Sequence, residues 1–133
     1  MLKTGTFILA ATFAVALAAP ADARVRQVQG SVQTQHGTYH GQATTTRQPG
    51  QRTRSATVVG PNGGQTSVYD NRSWGDGAYS HDRTRNFANG DTRTVDADAT
   101  RIDQGVWAYD RSVTGRNGET RTQSGTVTIE PNN

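Results

Sequence analysis

Nothing between the turns of this chain sustains the 3.6-residue period of an amphipathic helix. Polar and small residues alternate instead with single valines and rings, in Thr-rich runs of the length and composition that strands take. Turn signals punctuate these runs every thirteen to fifteen residues: His36-Gly37, Pro49-Gly50, Gly60-Pro61-Asn62-Gly63-Gly64, Ser73 to Gly77, Asn89-Gly90, Asp103-Gln104-Gly105 and Asn117-Gly118. Eight strands are predicted, at about 25–35, 38–47, 51–59, 65–72, 78–88, 91–102, 105–116 and 119–130. Evenly spaced strands joined by short turns describe an all-β antiparallel meander, either an open twisted sheet or a small barrel.

The turns repeat as well as recur. Gly50 to Ser67, Gly77 to Thr94 and Gly105 to Thr122 align without gaps, and each places a glycine twelve residues before the Asn of an Asn-Gly pair. A period of 27–28 residues then corresponds to one strand pair, the signature of a repeat architecture. Asn-Gly between alternating segments predicts two-residue type I′ hairpin turns, whose two central residues take positive φ. That loop length fixes a register. It sets Arg83 opposite Asp96, His81 opposite Asp98, Tyr79 opposite Thr100, Tyr109 opposite Thr126 and Trp107 opposite Thr128. Two faces follow. One carries rings, arginines and threonines. The other, with Ala78, Ser80, Ala97, Ala99, Val106, Ala108, Val127 and Ile129, is the expected thin core.

Composition changes the picture at the N-terminus. One basic residue, Lys3, precedes an apolar run from Phe7 to Ala19 and then Ala21-Asp22-Ala23, which reads as a secretory signal peptide over residues 1–23. A single domain over 24–133 then follows, placed in the periplasm or secreted, with no transmembrane segment left after cleavage. That domain has no cysteine, leucine, methionine or lysine, so neither disulfides nor a large aliphatic core can hold it. It carries thirteen arginines against ten Asp and Glu, a net charge of +3.

The hairpin phrases at Gly60 to Gly64 and at Thr114 to Thr122 resemble those of small secreted proteobacterial proteins that carry TGPNGGxTRT-type repeats and have no assigned function. The hairpin period also resembles that of MORN-like repeats. The Tyr-x-Gly-x-Trp core of that family is missing here, so the resemblance does not imply membrane-lipid association.

Candidate chemistry is sparse. His36 and His40 have no third histidine or cysteine beside them, and Asp91, Asp96, Asp98 and Asp103 do not follow the spacing of a calcium loop. There is no nucleophile elbow and no sign of a dry carboxylate cleft, so no catalytic residue, cofactor or metal is expected and the chain reads as non-enzymatic. The expected contact surface is Tyr79, Arg83, Arg85, Phe87, Trp107, Tyr109 and Arg111, where guanidinium groups clamp anions and rings stack on sugars. Export favours an anionic envelope polysaccharide or lipopolysaccharide over nucleic acid as the partner. Two alternatives go with the same strands: a closed barrel holding a small ligand in a ring-lined lumen, and a sheet that self-assembles through its edges.

Overall fold

The computed structural model describes residues 9–10 and 23–130. Apart from Leu9, Ala10 and Ala23, the segment read as a signal peptide lies outside the described residues. The strands are β1 (Leu9–Ala10), β2 (Arg24–Thr34), β3 (Gly37–Gln48), β4 (Gln51–Val59), β5 (Gln65–Gly75), β6 (Ala78–Asn86), β7 (Thr92–Asp103), β8 (Val106–Thr114) and β9 (Thr120–Thr128). They form one antiparallel sheet in sequence order, and β9 does not pair back onto β1 or β2. The sheet is therefore open, not a barrel, which removes the enclosed lumen that a closed-barrel ligand site requires.

The two ends of the sheet differ in turn chemistry, save that the Asn-Gly end also holds the two-residue loop Gln35-His36, one residue before the expected His36-Gly37 turn. At one end the loops hold two residues: Pro49-Gly50, Asp76-Gly77 and Gln104-Gly105. Asp76 (φ 49°) and Gly77 (φ 72°) both lie in the left-handed region, as a type I′ turn demands. The carbonyls of Gly50, Gly77 and Gly105 then accept the N–H groups of Trp74, Arg101 and Ile129 at 2.7–2.8 Å, tying each turn to the strand beyond its own hairpin. A Cβ on Gly105 would stand 2.7 Å from the Ile129 oxygen, so the close approach needs glycine as much as the dihedral does.

The Asn-Gly end departs from expectation. Gly63, Gly90 and Gly118 take positive φ, but the asparagines before them do not. The N–H of each of these glycines bonds three residues back, to the carbonyls of Gly60, Phe87 and Gly115 at 3.0 Å. These are three-residue loops, a type I turn closed by a left-handed glycine. The asparagines serve another purpose: Oδ1 of Asn89 and of Asn117 accepts the N–H of Asp91 and Glu119, both at 3.2 Å.

One extra loop residue shifts the register by one. Arg83 stands opposite Val95, His81 opposite Ala97, Tyr79 opposite Ala99, Tyr109 opposite Gly125 and Trp107 opposite Val127. The expected Arg83–Asp96 and His81–Asp98 pairs do not form. Because strand side chains alternate, the slip carries every residue of the return strands to the other face. Ala97, Ala99 and Val127 thus share the face of the rings, while Ala78, Ser80, Val106 and Ala108 stay on the opposite one, so the expected small-residue core does not exist. Among the described residues no hydrophobic side chain is buried. The sheet is a single layer, held by its hydrogen-bond ladders and by side-chain pairs along each face.

Candidate anion-binding face

The register sorts the charges. Starting from Asp70 on β5 and following directly opposed residues, one face carries Arg24 and Arg26 on β2, Arg47 on β3, Arg52 and Arg54 on β4 and Arg72 on β5. The same face carries Arg83 and Arg85 on β6, Arg93 and Arg101 on β7, Arg111 on β8 and Arg121 on β9. These are twelve of the thirteen arginines. Tyr39, Trp74, Tyr79, Trp107 and Tyr109 point the same way. The opposite face holds Ser, Thr, Asn and Gln together with Asp82, Asp96, Asp98 and Asp110, and has no arginine.

The sequence explains this sorting. Arg24-Val25-Arg26, Arg52-Thr53-Arg54 and Arg83-Thr84-Arg85 each place two arginines on one side of a strand of period two. On the other face, direct opposition brings Asp82 beside Asp96 and Asp98 beside Asp110. Hydroxyl and amide pairs lie on the same face toward the hairpin tips: Thr114 with Thr120 at 2.8 Å, Thr92 with Asn86 at 3.0 Å and Asn86 with Ser67 at 3.2 Å.

Asp70 is the single acid among the strand residues of the arginine face and, among the described residues, the one buried polar residue, 8 % exposed. Arg72 Nε donates to its Oδ1 at 3.1 Å, His81 Nε2 to its Oδ2 at 3.0 Å, and Arg83 Nε lies 3.9 Å from the same oxygen. Burial pushes the carboxyl up, but the hydrogen bonds from His81 and Arg72, with the charges of both, outweigh it and hold Asp70 below the usual carboxylate range. Sequence reasoning missed this residue because it placed the partners of Arg83 and His81 on β7.

Six of the seven expected contact residues, Tyr79, Arg83, Arg85, Trp107, Tyr109 and Arg111, share the arginine face across β6 and β8. Phe87 lies just beyond β6 at the hairpin tip, under two guanidinium groups: Arg85 at 5.2 Å and Arg116 at 4.4 Å from the ring centroid. Arg116 also binds Asp91 Oδ2 through Nε (3.0 Å) and Nη2 (2.8 Å), which joins neighbouring tips. Hydrogen bonding from Asn89 and then from Arg116 lowers the Asp91 carboxyl from its ordinary value. Arg83 and Arg85 are therefore already engaged, whereas Arg111 is exposed and makes no ion pair.

The face is also wider than expected, because the corrected register adds Arg93, Arg101 and Arg121, and β2 to β4 add five arginines more. Tyr109 lies against Gly125, whose missing side chain leaves room for its ring: a Cβ there would come within 3.1 Å of it. No group of three His, Cys, Asp or Glu among the described residues is placed to hold a metal ion, and no helix among them is long and apolar enough to cross a membrane. No family model, no curated protein and no solved structure matches the chain.

Proposed function

We propose that this is an exported, non-enzymatic β-repeat protein that binds an extended anionic polymer of the bacterial envelope, a polysaccharide or lipopolysaccharide, along its arginine face. One observation carries the reading: the sheet collects twelve arginines and five rings on one side and places Asp82, Asp96, Asp98 and Asp110 on the other. Adjacent strands lie about 4.8 Å apart, so the cationic groups form a broad array suited to a repeating ligand more than to one small molecule. Arginine, not lysine, favours bidentate contact with carboxylate and phosphate groups, and flat rings on the same face suit the faces of sugars.

The test is titration calorimetry with polygalacturonate at low and high salt. Micromolar or tighter binding that weakens with salt is expected, as is a loss of about tenfold or more in the Arg83→Gln/Arg111→Gln variant. Equal affinity of wild type and variant, or no binding at low salt, would defeat the reading.

The unpaired outer edge of β9 favours a second reading, edge-to-edge self-assembly. Sedimentation velocity across a concentration series tests it: growing species support it, and a constant monomer removes it.

A further inference from the structure

Five of the arginines converge on β2 to β4 without an ion pair, since Asp70, which stands directly across from Arg54, turns its carboxylate to Arg72 and His81. Arg24, Arg47 and Arg52 stand directly opposite one another on β2, β3 and β4. Arg26 and Arg54 form the next row, with Thr45 between them. Together they line a hollow of about 460 Å³. All four ion pairs among the described residues belong to Asp70 or Asp91, and none reaches these five side chains. Like charges directly opposed across strands destabilise a sheet. In addition, Arg52 Nε is shut off from solvent and has no hydrogen-bond partner. A charged donor buried without an acceptor is costly, and an acceptor arriving from outside removes that cost.

We propose that this hollow is a binding site for a phosphoryl oxyanion, a phosphomonoester or pyrophosphate group. The choice of phosphate follows from the number of donors. A carboxylate offers two oxygens and a single negative charge, and one guanidinium fork matches both oxygens. A phosphoryl group brings three acceptor oxygens and about −1.5 to −2 charges, enough to bridge arginines on neighbouring strands. None of the five rings of this face lines the hollow, and Tyr79, Trp107 and Tyr109 lie on β6 and β8, separated from it by β5. A phosphorylated glycan thus meets two distinct subsites: guanidinium groups for its phosphate and rings for its sugars. The inference rests on reading the arginine face as an anion-binding surface.

The test titrates inorganic pyrophosphate and, separately, polygalacturonate into the protein and into two variants, Arg47→Gln/Arg52→Gln and Arg83→Gln/Arg111→Gln. Pyrophosphate is expected to bind wild type and the second variant alike, and the first at least about tenfold more weakly. Undiminished pyrophosphate binding by Arg47→Gln/Arg52→Gln, or none by wild type, overturns the proposal. If polygalacturonate binds while pyrophosphate does not, the hollow falls and the polymer reading stands. The reverse result keeps the hollow and removes the polymer reading.

Removing two opposed like charges should leave Arg47→Gln/Arg52→Gln melting at or above the wild-type temperature, with pyrophosphate raising its midpoint less than that of wild type. If that variant does not fold, Arg47→Lys/Arg52→Lys keeps the charge and loses the fork, and it too must bind pyrophosphate more weakly. Phosphatidylcholine vesicles with phosphatidic acid distinguish the source of the phosphate. Sedimentation with them that depends on Arg47 and Arg52 supports a lipid-borne group, and its absence beside intact pyrophosphate binding supports a soluble or glycan-borne one.

Discussion

At the scale of single residues, Asp70 does most to make an arginine-covered face tolerable. Its carboxylate draws Arg72, His81 and Arg83 together, and its pKa is lowered in the folded state. The sign of the pH dependence follows. A carboxyl lowered by folding contributes stability above its unfolded value of about 3.9, and that contribution disappears as pH falls through the lower folded value. Thermal melts between about pH 7 and pH 2 should therefore show wild type losing stability below about pH 4, whereas Asp70→Asn is already weaker by about 1–3 kcal/mol at pH 7 and shows a smaller acid step, the lowered Asp91 carboxyl remaining. Equal melts at pH 7 would deny Asp70 its role. The opposite face predicts the opposite sign. Asp96 stands across from Asp82, so Asp96→Asn should stabilise the protein by about 0.2–1 kcal/mol at low ionic strength. The gain should shrink near 1 M salt, where screening acts within about 3 Å. A destabilised Asp96→Asn protein would mean that the aspartate pair is favourable as it stands.

At the scale of elements, the strands were legible and their register was not. All eight predicted strands appear, most ends falling within two residues of expectation, because turn residues and period-two alternation are local signals. Loop geometry decided the rest. Asn-Gly suits both a two-residue and a three-residue hairpin, and all three Asn-Gly turns take the longer form, at Asn89 and Asn117 with a side-chain oxygen that accepts a hydrogen bond two residues on. That single choice hid the Asp70 cluster and moved Arg93, Arg101 and Arg121 onto the arginine face. The co-facial set on β6 and β8 survived because alternation within one strand does not depend on its neighbour. Arg-x-Arg pairs at Arg24, Arg52 and Arg83 were visible throughout and were the better guide to the face.

The two kinds of glycine turn should also respond differently. Gly118→Ala meets open space and carries only the positive-φ cost, about 1–2 kcal/mol. Gly105→Ala adds a clash with the Ile129 carbonyl and should cost clearly more. Urea denaturation of both variants measures the difference, and equal losses would mean that the close approach relaxes freely.

At the scale of the whole molecule, the sheet is a plate with two chemical sides and no interior. Trp74 is 48 % exposed and Trp107 half-buried, both on the arginine face. A polymer lying on that face should shield them from acrylamide. Stern–Volmer quenching that falls on adding polygalacturonate supports this placement, and unchanged quenching beside proven binding would move the ligand to the other side or to an edge.

Each strand touches only the strands next to it in sequence. Folding energy in such a chain is a string of nearest-neighbour increments, as in a one-dimensional lattice. The hairpins can close locally, zip in either direction and fray from the ends, with no distant closure to wait for. The length of the plate is then a free variable. Excising Gln51 to Gly77 joins Gly50 to Ala78 at equivalent points of the repeat and leaves every remaining turn with its own residues. The shortened chain should still fold, with a urea m-value reduced in proportion to the surface removed. Duplicating the same unit should lengthen the plate by two strands and add one more ring and arginine register to its charged side.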